Sequence, residues 1–263
     1  METAAEKNNP PAAFKKCHGL LFTGGEGPDP RQIARVMEQA HPAKNSAAAP
    51  GTGYAVSGAE DDASGRLLVA AADSGLLLAE SGGIIPDWII GDMDSLAEAD
   101  PAGLTRLAAY PPEKILRHPA DKDFTDTELA FSLLRKKGCG KIWVIGGGGG
   151  RLDQLLGIRS LFERDDPPER WLTASDDIRC IGSAVVPSEL AVSGHAPLFP
   201  VSVFPVGTGP WEAESSGLKW PLAGLPWARD FIAISNVAPA GTFTIKAKQG
   251  RFLVMWPYSH KSQ

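Results

Sequence analysis

The amino-acid sequence predicts an α/β protein with two parts: an N-terminal doubly wound, mostly parallel sheet and a C-terminal all-β part. Up to about residue 165, short apolar runs that end in glycine or aspartate alternate with segments of helical period, which is typical of parallel strands joined by crossover helices. After "ERDDPPER" (163–170) the helical period disappears, and short β-like runs separated by proline and glycine follow. A chain of 263 residues is long enough to bury two cores.

The first part contains five apolar runs and four helical segments. The runs do not alternate apolar and polar residues, so each predicted strand is expected to be covered on both faces. This pattern indicates a Rossmann-like sheet. The predicted strands are 18–25, 66–75, 87–92, 114–119 and 141–148, and the predicted helices are 30–40, the stretch after Asp94, 126–137 and 152–164.

The second part contains only β-like runs, from which we predict a β-sandwich or a small barrel. We place the two domains at 17–168 and 175–263. Residues 41–65, between the first helix and the second strand, are rich in alanine, glycine, serine and proline, and we interpret them as a loosely packed insertion without a role in the chemistry. The β-like runs are 178–186, 189–193, 198–207, 231–237, 242–248 and 252–256.

Composition and charge exclude several classes of protein. With 43% hydrophobic residues, 22% charged residues and a net charge of −5, the chain resembles an ordinary globular protein, and it has no basic run that would favour nucleic acid or an anionic membrane as partner. The N-terminus has no apolar leader core and no apolar run approaches 18 residues, so we expect a cytoplasmic protein. Cys17, Cys139 and Cys180 are odd in number and widely spaced; we expect them to be reduced and buried, without a disulfide framework or a zinc site.

Acidic residues follow four of the five predicted strands. In an open parallel sheet, ligands bind beyond the carboxyl ends of the strands, so these side chains are expected to converge there. Two carboxylates about 4 Å apart repel by roughly 4 kcal/mol at an effective dielectric constant near 20, unless a cation lies between them. A hard divalent ion, most simply Mg²⁺ with a phosphate, explains the pattern. The residues are Asp73, then Asp92 and Asp94, then Asp121, Asp123 and Asp126, then Asp153.

A structural interpretation of single acids remains open. Asp92 or Asp94 alone is suited to cap the start of a helix. The sequence "TDTE" (125–128) has the spacing of a capping box, in which Thr125 bonds the amide of Glu128 and the Glu128 side chain bonds back.

The turn "GGGGGR" (146–151) lies between a predicted strand and a predicted helix. Free backbone amides at such a turn can hold a phosphate, and Arg151 and Asp153 directly after it favour a nucleotide. Because the turn lacks the lysine and serine or threonine of a P-loop, a merely flexible turn is the alternative.

Seven segments, taken in order, resemble the thiamine pyrophosphokinase (thiamine diphosphokinase) family. They extend over about residues 66 to 255 and so include both predicted domains. The most specific are the G-D-x-D-S, K-D-x-T-D-x-E and G-G-x-G-G-R-x-D-Q blocks. The segments are "AADSG" (71–75), "PDWIIGDMDS" (86–95), "HPADKDFTDTELA" (118–130), "GGGGGRLDQ" (146–154), "VFPVG" (203–207), "SGLKWPL" (216–222) and "ISN" (234–236).

The resemblance implies an α/β domain for ATP, a β-domain that helps to bind thiamine, and a homodimer with active sites between subunits. It implies transfer of pyrophosphate from ATP to thiamine, with Mg²⁺ as cofactor. The implied catalytic and metal-binding residues are Asp73, Asp92, Asp94 and Asp126, of which Asp126 is expected to accept the hydroxyl proton. The implied ATP contacts are Ser74, Ser95, Asp121, Lys122, Asp123, Thr125, Gly149, Arg151, Asp153 and Gln154, and the implied thiamine contacts are Trp220, Ser235 and Asn236.

Two positions depart from the family pattern, and two other functions remain open. Ser74 replaces a glycine that many relatives have, and Gln154 replaces a frequent histidine, so we assign Gln154 no acid–base role. The alternatives are a pyrophosphokinase for another alcohol, such as a hydroxymethyl-pterin, and a nucleotide-binding regulator without turnover. Product analysis distinguishes these three functions.

Overall fold

The computed structural model describes residues 17–40, 66–100, 102–119, 123–182, 184 and 186–258, so the predicted insertion at 41–65 lies outside the described residues. No helix within these ranges is long and apolar enough to cross a membrane. The strands are β1 Cys17–Phe22, β2 Arg66–Ala72, β3 Trp88–Gly91, β4 Ile115–Arg117, β5 Cys139–Ile145, β6 Arg170–Leu172, β7 Asp176–Ile181, β8 Glu189–Val192, β9 Phe199–Val206, β10 Glu212–Ser216, β11 Ala233–Ala238, β12 Phe243–Gln249 and β13 Arg251–Pro257. The α-helices are α1 Pro30–Ala40, α2 Gly75–Ser81, α3 Asp94–Ala99, α4 Gly103–Arg106, α5 Asp126–Lys136 and α6 Leu152–Ser160.

A ten-stranded sheet forms the centre of the molecule, in the order β11-β9-β13-β7-β6-β5-β1-β2-β3-β4. The six strands from β6 to β4 are parallel to one another. Strand order reverses between β1 and β5, because the chain moves outward from β1 to β4 on one side and then returns to β5 on the other. This is the switch point at which doubly wound sheets bind their ligands.

Helices cover both faces of the parallel strands, as the continuous apolar strands predict. On one face, α1 contributes Ile33, Val36 and Met37 to a core that also contains residues of α2 and α3. Their spacing of three and four residues places them on one side of α1. On the other face, α5 and α6 pack against β1, β2 and β5, with Phe131 and Leu134 fully buried. The predicted doubly wound α/β fold is confirmed.

The C-terminal residues form a sandwich and no closed barrel. Strands β7, β13, β9 and β11 extend the central sheet in antiparallel fashion, and a separate three-stranded sheet of order β10-β12-β8 packs against them. Alternate residues of β9, β12 and β13 fill the space between the sheets, among them Val201, Val203, Ile245 and Phe252. Because the central sheet continues through β6 and β7, hydrogen bonds cross the predicted boundary at 168–175, and the division into two domains stays a prediction.

The elements α2, β6 and β10 have no counterpart among the predicted segments, and the predicted helical stretch after Asp94 corresponds to two separate helices, α3 and α4. The segment "GLLLAES" of α2 follows β2 after only two residues, so its leucines look like a continuation of the strand. Gly75 allows this sharp reversal, because a Cβ atom there would lie 2.4 Å from the Phe22 carbonyl oxygen. Strand β6 has only three residues, and β10 ("EAESS") is polar at most positions, so neither has a detectable period.

Candidate active site

A cavity of about 680 Å³ opens at the carboxyl ends of the parallel strands. Its volume is in the range of small-molecule sites. It lies at the switch point, because the turns after β1 and β5 form two of its walls and the segments after β2 and β3 and before α5 form the others. Parallel strands therefore bring together segments that are far apart in sequence.

Three carboxylates converge in this cavity. Asp73 follows β2, Asp92 follows β3, and Asp126 is the first residue of α5; each offers an oxygen atom within 4.8 Å of the others. All three side chains are partly buried. The predicted convergence of acidic residues is thus found for three members of the predicted catalytic set.

The backbone at Asp73 is held in an unusual conformation. Asp73 has a φ of 47° and Met93 a φ of 73°, both in the left-handed region. The Met93 amide donates a hydrogen bond of 3.2 Å to Oδ1 of Asp73, which links the ends of β2 and β3. Gly91 makes room for this carboxylate, since a Cβ atom there would lie 1.7 Å from the same oxygen. The positions of these residues are therefore interdependent.

The carboxyl group of Asp73 has a pKa far above its ordinary value. Burial raises the pKa of Asp73 to about 7, and the neighbouring charge and hydrogen bond of Asp126 add to the increase, with a smaller contribution from Asp92. The Met93 amide opposes the increase. A carboxyl with so high a pKa lacks a compensating positive charge, which is the situation that a bound cation would relieve.

Asp94 belongs to the cavity but not to the group of three. Its side chain is exposed on the first residue of α3. Its amide donates a 3.0 Å hydrogen bond to Oδ1 of Asp92. The N-cap of this helix is Met93, so neither Asp92 nor Asp94 is the capping residue that the structural interpretation expects. Ser95 bonds the amide and the hydroxyl of Ser74 at 3.3 and 3.4 Å, and both serines line the cavity.

The glycine turn after β5 is only partly available to a ligand. The amides of Gly146, Gly147 and Gly148 donate to the carbonyls of Leu172, Gly24 and Glu26, which ties this turn to β6 and to the turn after β1. These three amides cannot also hold a phosphate, which corrects the expectation of a freely available turn. Gly149 and Gly150 line the cavity beyond them.

Arg151 and Asp153 form an ion pair at the edge of the cavity. The guanidinium donates to both carboxylate oxygens at 3.1 and 2.6 Å, which lowers the pKa of Asp153. The two side chains are 74% and 63% exposed, so the pair contributes little to stability, and Arg151 can exchange this partner for a phosphate. Arg151 and Gln154 line the cavity, whereas Asp153 lies outside its wall.

The segment before α5 contributes several cavity residues. Thr125 and Glu128 form the predicted capping box, with the Glu128 amide 3.2 Å from Oγ1 of Thr125 and the Thr125 amide 2.9 Å from Oε2 of Glu128. Thr125 therefore has a structural role in addition to lining the cavity. Asp123 also lines the cavity, and the predicted contacts Asp121 and Lys122 lie outside the described residues.

Several cavity residues are not in the sequence prediction. The segment "FTGG" after β1 supplies Thr23, Gly24 and Gly25, where the sequence predicts only the end of a strand. Thr23 Oγ1 lies 2.8 Å from Oγ1 of Thr127 and links this turn to α5. A glycine pair after the first strand of a doubly wound sheet was the available indication. The remaining unpredicted lining residues are Ala72, Glu98, Phe124, Thr127 and Ile158, whereas Gly147 and Gly150 belong to the predicted glycine turn.

The three predicted thiamine contacts lie apart from this cavity, near β11. Trp220 is 53% exposed, with the Lys219 ammonium 4.5 Å from the centre of its ring. Ser235, with a φ of 57°, is exposed at a register shift in β11. Asn236 is buried, and its side-chain amide bonds the amide and the carbonyl of Trp220 at 3.2 and 2.7 Å. Asn236 therefore holds Trp220 in place.

Residues 62–167 match the family described as "Thiamin pyrophosphokinase, catalytic domain". This segment contains the three converging carboxylates and the glycine turn after β5. Over this segment the chain is therefore similar to the catalytic domain of thiamin pyrophosphokinases. The match agrees with the family resemblance of the sequence blocks.

The fold agrees with that of thiamin pyrophosphokinases of known structure. The chain is similar to thiamine pyrophosphokinase from Bacillus subtilis, with 20% identity, 93% of this chain and 100% of the other covered, and a TM-score of 0.63. It is also similar to thiamin pyrophosphokinase from Geobacillus thermodenitrificans, with 20% identity, 94% of this chain and 100% of the other covered, and a TM-score of 0.62. The similarity to thiamin pyrophosphokinase from Candida albicans has 16% identity, covers 93% of this chain and 90% of the other, and gives a TM-score of 0.60. No curated protein matches the chain.

Proposed function

We propose that the protein transfers the β- and γ-phosphates of ATP, as one pyrophosphate group, to the hydroxyl of thiamine, in a reaction that depends on Mg²⁺. The convergence of Asp73, Asp92 and Asp126 in a cavity at the switch point of the sheet carries this proposal. Such a site is suited to a nucleotide whose phosphates arrive with a cation. The cytoplasmic location expected from the sequence belongs to the same proposal.

The donor atoms fit Mg²⁺. Mg²⁺ prefers oxygen ligands, and the three carboxylates offer them without a competing nitrogen or sulfur ligand in the group. The raised pKa of Asp73 supports the fit, because burial and the neighbouring Asp126 both disfavour its negative charge, and a cation would offset both effects. Asp73, Asp92 and Asp126 would hold the ion, which would neutralise charge on the transferred phosphates. Asp94, which also lines the cavity, would offer a further carboxylate oxygen to the ion.

The chain's own residues position the reactants. Gly149, Gly150 and Arg151 lie where they can contact the phosphates, and the turn at Thr23–Gly25 forms the opposite wall. The thiamine hydroxyl oxygen attacks the β-phosphorus as the bond from this phosphorus to the oxygen of AMP breaks. Asp126, with its carboxylate inside the cavity, would accept the hydroxyl proton. Because little covalent chemistry falls to the protein, correct placement of hydroxyl and phosphate provides most of the rate increase.

Thiamine would be bound by a second copy of the chain. Trp220 and Ser235 do not line the cavity of the chain that carries them, yet both are exposed. Ile232 and Ile234 nearby are 44% and 59% exposed, so this region also presents apolar surface suited to a subunit contact. We therefore propose a homodimer in which this region of one subunit faces the cavity of the other. The Lys219 ammonium lies 4.5 Å from the centre of the Trp220 ring, so this ring accepts a cation, and the thiazolium would take the place of the ammonium.

Analysis of the products tests this function. Purified protein is incubated with ATP, thiamine and Mg²⁺, and nucleotides and thiamine esters are separated by chromatography, with EDTA as the control. We expect equal amounts of AMP and thiamine diphosphate, and neither with EDTA. ADP with thiamine monophosphate would instead indicate transfer of one phosphate. AMP formed only with a hydroxymethyl-pterin would indicate the other pyrophosphokinase, and nucleotide binding without any product would indicate a regulator.

Replacement of Trp220 by alanine is expected to raise KM for thiamine by about 3- to 30-fold and to leave kcat within about twofold, because a cation–π contact contributes on the order of 0.5–2 kcal/mol. Trp220→Phe, which keeps an aromatic face, is the matched control and is expected to stay within about threefold of the parent. Thermal unfolding should change little, since the ring is 53% exposed. An unchanged KM would remove Trp220 from the thiamine site, and a large loss of stability would show that its role is in packing.

A further inference from the structure

Two cysteines lie side by side at the end of the sheet opposite the cavity. Cys17 is the first residue of β1 and Cys139 the first residue of β5, and the two are register partners in adjacent parallel strands. A register shift follows at once, because His18 pairs with Lys141 and Gly140 is left over. The bulge thus brings two residues that are 122 positions apart into lateral contact.

The geometry is close to that of a disulfide. The two Sγ atoms are 2.7 Å apart, and both side chains face the same core between the sheet and α5. Neighbouring strands place Cα atoms about 5 Å apart. A disulfide requires Cα atoms roughly 4.4–6.8 Å apart and a sulfur–sulfur bond of about 2.0 Å. Bond formation therefore needs only a small movement of the side chains.

The two thiols differ in access and in acidity. Cys17 is partly exposed, whereas Cys139 is fully buried. The hydrogen bond with Cys139 lowers the pKa of Cys17, and the charge of Arg66 adds to this effect against the burial of the thiol. The same hydrogen bond, together with burial, raises the pKa of Cys139. Cys17 is the thiol that an outside oxidant reaches, and Cys139 is placed to react second.

We propose that Cys17 and Cys139 form a reversible disulfide that links β1 to β5, with a low-molecular-weight disulfide such as oxidised glutathione as the oxidant. The Cys17 thiolate attacks one sulfur of the oxidant, and one thiolate leaves. The Cys139 thiol then loses its proton and attacks the Cys17 sulfur, and the second thiolate leaves. The two cysteines lose two electrons and two protons in total, and the oxidant is reduced to two thiols.

The position of the bond predicts its effect. It would join the two strands whose carboxyl ends hold the glycine turns of the cavity, but at their amino ends, about 20 Å away by strand length. We expect kcat and KM to change by less than about twofold. Because the bond closes a loop of more than one hundred residues, we expect the oxidised protein to unfold about 5–10 °C higher than the reduced protein.

The test compares full-length protein equilibrated with oxidised glutathione and with dithiothreitol. Remaining thiols are alkylated under denaturing conditions, and the digested protein is analysed by mass spectrometry without reduction. We expect one thiol in place of three, a linked peptide pair containing residues 17 and 139, and the higher unfolding temperature, all reversed by dithiothreitol. Cys180 is 1% exposed in β7 and serves as the internal control that stays a thiol.

Variants separate the proposal from general oxidation. Cys180→Ser is expected to form the same linked pair, and Cys17→Ser is expected to keep two thiols and to show no shift in unfolding temperature. Three free thiols after treatment with oxidised glutathione would overturn the proposal. So would a stable glutathione adduct on Cys17, or a disulfide that includes Cys180. The peptide map of the parent protein shows by itself whether Cys17 and Cys139 are linked, so the test does not depend on whether a cysteine variant folds.

Discussion

Asp92→Asn is expected to lower turnover at least a hundredfold while leaving the protein folded and at least as stable as its parent. Removal of one of the three converging carboxylates takes away a predicted Mg²⁺ ligand, and ligands of this kind contribute several kcal/mol to transition-state stabilisation. Stability should not fall, because the charge of Asp92 contributes to the raised pKa of Asp73 and its removal relieves repulsion. Steady-state production of AMP and thermal unfolding with and without Mg²⁺ measure the two effects.

Two further variants sharpen this test. Asp165→Asn makes the same change at an exposed position away from the cavity and is expected to leave both turnover and unfolding unchanged. Asp94→Asn changes a residue that the resemblance places in the same catalytic set. It is expected to lose only about tenfold in turnover, because its carboxylate is exposed and outside the group of three. Near-normal turnover of Asp92→Asn, or a Mg²⁺-dependent increase in unfolding temperature equal to that of the parent, would remove the metal role of Asp92.

Asp177→Asn is expected to lower the free energy of unfolding by about 3–5 kcal/mol, the usual loss when one partner of a buried ion pair is removed. The Asp177 carboxylate accepts hydrogen bonds of 2.9 and 2.6 Å from Arg170, and the two side chains are only 4% and 8% exposed. It also accepts a 3.0 Å bond from Arg179. Without the negative charge, two largely buried guanidinium groups lose their partner next to Trp143.

Denaturation by urea, with extrapolation to water, measures this loss. Glu214→Gln is the matched control, because Glu214 forms an exposed ion pair with Lys248 at 3.2 Å and its removal should cost no more than about 1 kcal/mol. A loss for Asp177→Asn as small as that of the control would mean that the arginines find water or other acceptors. The result bears on the fold as a whole, since Arg170 and Asp177 lie on β6 and β7, where the parallel and antiparallel parts of the sheet meet.

Most of the fold follows from short-range patterns. Helix α1 occurs over the predicted residues 30–40, and the apolar runs of β2 and β5 form strands within a few residues of their predicted ends. Such elements have a clear period, and their flanking glycine, proline and aspartate residues mark where they stop. Elements without a period, such as β6 and β10, could not be predicted in this way.

The sequence predicts the acidic residues of the site better than its glycine turn, because only the acidic residues lie at the ends of elements with a clear period. Asp73, Asp92 and Asp126 follow or precede predictable elements, so the rule that ligands bind at the carboxyl ends of parallel strands was sufficient to bring them together. The glycine turn at 146–151 was harder, because the sequence does not indicate which amides already bond to the turn after β1. Cys17 and Cys139 illustrate the same limit. Both are free thiols and Cys139 is buried, as the sequence predicts, but Cys17 is partly exposed and its contact with Cys139 has no signal in the sequence.

Local residue patterns determined the order and type of the elements, the acidic character of the strand ends and the resemblance to the family. These features depend on backbone preferences and on the chemistry of individual side chains. The pairing of strands was determined by packing in three dimensions. This packing brings Asp73, Asp92 and Asp126 together, places Asp177 beside Arg170 and brings Cys17 beside Cys139. Each of these contacts joins different elements of the fold, so the distance between the residues is set by the sheet rather than by their spacing along the chain.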